Sequence, residues 1–358
     1  MVVLLDKTYL LKYYYRSDRT GETCEAFSPE GSFGGLSSYM TTKYKIREEE
    51  CLLIKQFRTY DELVKFLKED KQLLIPDEEK AKQILKKTGY FSLISGYKNI
   101  FKNPVTKKYF ERTTIDDIYS LYQFDRELRS IFLKYILIAE RSIKASLSYY
   151  FSETYGEQQT EYLTTTNYDF KMKGNRVGIQ KLINTLSGNL LHNNDFVYIK
   201  HYKYKYQNVP LWVMVQVMTL GQISHMFFYL KATVPIKVCK DFHNIERMQM
   251  HTFLSVMTKH RNACAHGERF FNYVTKDSIK DTVIHRKMGI SVKGSRYTCG
   301  KNDLFSEVII LKYLLDKEDF RAFYYELKRC IVKFKPDKRI MGMMGFPENW
   351  MKIVRLKV

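Results

Sequence analysis

IYSLYQFDRELRSIFLKYILIAERSIKASL, residues 118–147, is the stretch that decides the fold. Ile118, Leu121, Leu128, Phe132, Tyr135, Ala139, Ile143 and Leu147 recur mostly at threes and fours, the spacing that puts apolar side chains on one face of an α-helix. Sustained over about thirty residues, that pattern predicts one long amphipathic helix. Thr113 or Thr114 supplies its N-cap, with acids just beyond, and Gly156 follows its end.

Helical spacing continues on both sides. Upstream, Thr59–Leu67 and Asp77–Thr88 read as two short helices, the second opened by Pro76, Asp77 and Glu78. Gly89–Tyr97 reads as turn-rich, followed by a basic aromatic connection containing Lys107, Lys108 and Tyr109. Downstream, helices are expected over about Gly178–Leu191, Leu211–Ala232 and Ile245–Ala265, and then over Lys317–Phe334. A short hairpin around Ile290–Thr298, turning near Gly294, is the only β signal. The expected fold is therefore all-α. Its expected parts are an N-terminal extension (1–50) with a Gly/Ser loop over Ser28–Ser38, an N-terminal helical region (51–112), a helical core (113–275) and a basic C-terminal region (276–358).

Lysine and arginine outnumber acids by 59 to 39, and the resulting charge of +20 implies a positive field over much of the surface. A polyanion is the expected partner, and nucleic acid is the usual one, because each phosphate met by a cation releases condensed counterions. A membrane is the rival. The longest apolar stretch, Pro210–Leu230, is interrupted by Gln216, Gln222, Ser224 and His225, which are costly in lipid. Met1–Leu5 is stopped by Asp6 and Lys7, too early for a secretory signal. Six cysteines without a CxxC pair fit reduced thiols in a cytoplasm. The GSFGG run at 31–35 lacks the Gly-Lys-Ser/Thr of a phosphate-cradling loop and reads as flexible connection.

The chemistry-bearing segment is KHRNACAHGERF, residues 259–270, at the end of a predicted helix that Gly267 is placed to stop. Asn262 and His266 are four apart on one helix face, so the amide can orient the imidazole. Arg261 lies roughly 140° around the helix from His266, which fits a site assembled from two such motifs. A neutral-pH proton carrier beside an always-charged guanidinium suits RNA cleavage by the adjacent 2′-hydroxyl, with no metal or cofactor required. The plainer alternative pairs Arg261 with an acid such as Glu268 and makes His266 a helix cap.

Six patterns resemble the abortive-infection (Abi-like) family of the HEPN superfamily. They are GYFSLISGY (89–97), LYQFDRELR (121–129), Glu140 with Lys144 at the last place of an acid-to-basic continuation, PLWVMVQVMTLG (210–221), Arg261-Asn262 through His266, and GFPENW (345–350). The sequence departs from the family pattern at Ala139, Lys144, Gln216 and Leu220. The resemblance implies a HEPN helical bundle with N- and C-terminal helical elaborations, and a metal-independent endoribonuclease acting as a toxin-like effector in phage defence. Catalysis would fall to Arg261, Asn262 and His266. It also implies a homodimer around a composite cleft. The alternative is an RNA-binding protein complexed with a small noncoding RNA, with cleavage absent or regulated.

Other residues carry secondary expectations. YIKHYKYKY (198–206) interleaves Tyr202 and Tyr204 with Lys200, Lys203 and Lys205, a composition for phosphate pairing and base stacking, or else an exposed β-edge or solvated loop. Asp125 and Arg129 form a natural intrahelical pair in a supporting role. Glu140 and Arg141 are expected on neighbouring faces, supporting the Arg261 cleft. His260 and Cys264 are also four apart, but two ligands without a second pair make a metal a poor reading, and burial explains Cys264 better.

Overall fold

The computed structural model describes residues 56–357, apart from 193, 194 and 244; the expected extension over 1–50 and its Gly/Ser loop lie outside the described residues. Helix α1, Tyr60–Glu69, begins at a capping box in which Thr59 and Glu62 satisfy each other's backbone N–H groups. Helix α2, Glu78–Thr88, is capped by Asp77. The segment expected to be turns is helical instead: a π-helical turn, Phe91–Ser95, leads into a 3₁₀ turn, Lys98–Ile100. Its glycines misled, since Leu93, Ile94 and Tyr97 all point into the core. The long helix α3, Ile115–Tyr155, runs unbroken from a Thr114–Asp117 capping box to Gly156.

Helices α4 (Gln159–Leu163), α5 (Arg176–His192) and α6 (Val197–Tyr206) follow. The segment 198–206 is thus helical rather than β-edge or loop. The predicted single helix over Leu211–Ala232 is divided into α7 (Leu211–Met214) and α8 (Leu220–Tyr229). Thr219 starts α8 with a capping box to Gln222, which gives the backbone of the break its own partners. Helix α9 (Thr233–Asp241) was not expected; α10 (Arg247–Ala265) matches its prediction closely.

Beyond α10 come α11 (Val283–Lys287), the two-stranded hairpin β1 (Val292–Lys293) and β2 (Arg296–Tyr297), α12 (Leu304–Leu314), α13 (Lys317–Phe334) and α14 (Lys338–Met343). A 3₁₀ turn, Trp350–Arg355, follows. The fold is all-α, with α3 as its axis: α7, α9, α10, α12 and α13 all pack on it. The GFPENW tail closes this end of the core. Phe346 and Trp350 are buried against Phe305 and Tyr324, and Gly345 sits at φ +76° with the Asp303 carboxylate where a Cβ would stand. Among the described residues no helix is long and apolar enough to cross a membrane.

Candidate functional site

The site is built where the C-terminal end of α10 meets the middle of α3. Arg261 is the fourth residue before the helix end at Ala265, and His266 is its C-cap, bonded through its own N–H to the Asn262 carbonyl at 2.9 Å. Gly267 then turns the chain at φ +68°, a conformation that a side chain would strain. Asn262 and His266 are both exposed, and among the described residues no hydrogen bond joins the amide to the imidazole. The imidazole is thus presented to solvent at the helix end.

Arg261 pairs across to α3, not with Glu268. Its Nε lies 3.7 Å from Glu140 Oε2, while Lys144 Nζ holds the other oxygen of the same carboxylate at 2.8 Å. Glu140 is only 8% exposed and Arg261 34%, so the carboxylate anchors the guanidinium from below and leaves its far side open. That arrangement orients a cation without neutralising it completely, because one carboxylate serves two cations. Arg141 does not join it: its side chain is exposed, because the residue after Glu140 is turned about 100° around α3.

Asp125 and Arg129, one and two turns into the LYQFDRELR run, hold the chain that leaves the site. Asp125 is fully buried and accepts from Tyr97 Oη at 2.6 Å, Arg129 Nη1 at 2.5 Å, and the backbone N–H groups of Phe270 and Phe271, the latter at 2.6 Å. Arg129 also donates to the Glu268 carbonyl at 3.0 Å, and Arg269 to the Gly96 carbonyl at 2.6 Å. Burial pushes the Asp125 carboxyl above its ordinary range, against the opposing pull of Arg129, Tyr97 and the two amides. These groups fix where residues 268–271 run, and hence where α10 ends.

Lys144, read in the sequence as a departure at the last place of the Glu140 continuation, is a full member of the Glu140 cluster through its i,i+4 spacing. One partnership escaped the sequence. His260 is wholly buried and hydrogen-bonds Glu307 of α12 at 2.8 Å; Glu307 stands in an otherwise apolar run, and nothing local marks its partner. Cys264 is buried beside them, which raises its thiol well above the usual range. No group of three or more metal-binding side chains occurs among the described residues.

Helix α6 places Lys200, Tyr204 and Lys205 in the open, with Tyr202 and Lys203 partly covered and Ile199 as the buried anchor. Lys205 lies over the Tyr206 ring at 5.3 Å. The structure does not bring this helix into contact with Arg261 or His266 through any hydrogen bond or ion pair among the described residues.

No curated protein and no solved structure matches this sequence. A family model described as Abi-like protein matches residues 83–272, a span that begins in α2, contains the whole of α3 and α10, and ends with the Phe270–Phe271 amides held by Asp125. GFPENW lies beyond that span. Because the matched region covers more than half of the chain and includes every residue of the Glu140–Arg261–His266 site, the chain belongs to the Abi-like protein family.

Proposed function

We propose that this Abi-like protein is a metal-independent HEPN-type endoribonuclease acting in phage defence. Its family ties it to abortive infection, and the Arg261–Glu140 pair, with an exposed His266 at the end of the same helix, supports the finer reading. In this mechanism the 2′-hydroxyl of the substrate attacks its own 3′-phosphate, forming a 2′,3′-cyclic phosphate and releasing a 5′-hydroxyl. His266 takes the proton from the 2′-hydroxyl and returns it to the departing 5′-oxygen. Arg261, held from below by Glu140, faces the charge that gathers on the phosphoryl oxygens. Asn262, exposed one turn before His266, would fix the ring once substrate is bound.

Cleavage of a mixed RNA pool in EDTA tests this. Arg261→Ala and His266→Ala should each lower the rate by about a hundredfold or more while leaving thermal stability unchanged. Asn262→Ala should lose less. Undiminished cleavage by both of the first two variants sinks the assignment. A second reading, RNA binding with cleavage absent or held off by a small noncoding RNA, is favoured by the exposed lysines and tyrosines of α6 together with the +20 charge. Protein that purifies with RNA absorbance, binds RNA and never cleaves it would select that reading.

A further inference from the structure

On α1 and α2, Lys68 pairs with Glu78, Lys80 with Asp116, and Lys82 with Asp61 and Glu79, while Lys65, Lys86 and Lys87 are exposed and have no ion pair among the described residues. Lys71, Lys98 and Lys102 differ from both groups in being unpaired and only partly exposed. Among the described residues no carboxylate lies within ion-pair distance of any of the three. Backbone pairing nevertheless gathers them. Lys102 stands opposite Tyr109 in an antiparallel bridge, flanked by hydrogen bonds from Asn103 N–H to the Lys108 carbonyl and from Phe110 N–H to the Phe101 carbonyl, each 2.9 Å. The N–H of Tyr109 donates in turn to the Lys71 carbonyl at 3.3 Å, and Lys98 opens the 3₁₀ turn just before.

The surroundings are aromatic rather than acidic. The Lys102 ammonium lies 4.3 Å over the Tyr109 ring, and Arg58 and Lys71 lie over Phe66 at 4.0 and 5.0 Å. All three lysines are only partly exposed, and the Tyr109 hydroxyl is buried with no hydrogen-bond partner among the described residues. Partial burial, then the charges of Lys98 and Lys71, push the Lys102 amine down to about 8. Cations crowded out of water without a counter-charge raise the free energy of the empty site, and an anion would relieve it.

We propose that Lys71, Lys98 and Lys102, set against the Tyr109 ring, form a phosphate-binding site for the backbone of a nucleic-acid strand. A strand is favoured over a lone phosphate because the same turn carries Lys107 and Lys108, both exposed and both without an acidic partner among the described residues, which extends the positive track. The choice of strand rests on the RNA reading above; the phosphate site does not.

The test is amine acylation of the full chain near pH 8, read lysine by lysine by mass spectrometry, with and without a mixed-sequence single-stranded RNA or inorganic tripolyphosphate. Lys102, the depressed amine, should label early, and both ligands should protect it, the RNA at lower concentration. In parallel, the triple variant Lys71→Gln, Lys98→Gln, Lys102→Gln should weaken binding of the RNA about tenfold and flatten its log–log salt dependence by about 2. Removing three exposed charges elsewhere, at Lys333, Lys335 and Lys338, should do far less. Protection by tripolyphosphate alone overturns the strand and leaves a small-polyphosphate site. Protection by neither overturns the site, and if RNA still binds by fluorescence anisotropy, the RNA reading outlives it. Protection by RNA in a chain whose cleavage ignores Arg261→Ala and His266→Ala supports the site while the nuclease reading fails.

Discussion

His285 has no exposed surface and both ring nitrogens are engaged: Thr282 N–H donates to Nδ1 at 3.1 Å, so the proton sits on Nε2 and is given to the Gly300 carbonyl at 2.8 Å. Burial lowers its pKa below the ordinary 6.5, with the Gly300 carbonyl pulling the other way. The folded state therefore binds fewer protons than the unfolded chain just below 6.5, and the stabilisation that is complete above 6.5 is lost as pH falls into that window. Melting temperature should drop between about pH 7 and about pH 5, and His285→Asn, although less stable at neutral pH, should show a shallower drop. An equal drop in the variant would assign the acid sensitivity elsewhere. At this scale the sequence was legible where chemistry is local. The spacing of Arg261, Asn262 and His266 announced itself, and so did the Asp125–Arg129 pair. Glu140 was expected to support the Arg261 cleft, whereas the His260–Glu307 partnership was hidden, because it joins residues far apart in the chain and no periodicity records such a meeting.

Helix α3 is more than an axis for packing, since it carries both the Glu140 support and the Asp125 clamp on the side facing α10 and the turn beyond it. Asp125→Ala would leave Arg129, the Tyr97 hydroxyl and two backbone N–H groups without their acceptor in the core. The expected loss is about 3–5 kcal/mol by chemical denaturation, with the far-ultraviolet helix signal retained before the transition. A loss below about 1 kcal/mol would mean that the carboxylate is not the acceptor holding this turn. Elements with a strong 3.6-residue rhythm, such as α3, α10 and α13, could be read directly from the chain. Helix α12 could not, because all its residues except Lys312 are buried. A helix covered on every side has no polar face to set its period. The break between α7 and α8 was missed for the opposite reason: Val215, Val217 and Met218 continue the apolar run across it with Gln216 as the lone polar residue, and only the Thr219–Gln222 box marks the new start.

For the whole molecule, a single Arg261/His266 set with one open side leaves room for a second set opposite it, which a two-fold pair of chains would provide. Light scattering should therefore find twice the chain mass, and mixing His266→Ala with wild type under exchange should yield heterodimers whose activity departs from the sum of the two homodimers. A monomer that cleaves RNA at full rate would place all the chemistry within one chain. The letters of the motif occupy residues 261–266, yet the grip on the turn that follows them belongs to residues 97, 125 and 129, written more than a hundred positions earlier. A fragment starting after Gly156 would carry the motif intact as text and have nothing to hold it in shape. Grafts, truncations and split versions of this protein should be judged by whether they keep α3 with α10, since the recipe for the site is spelled in one place and enforced from another.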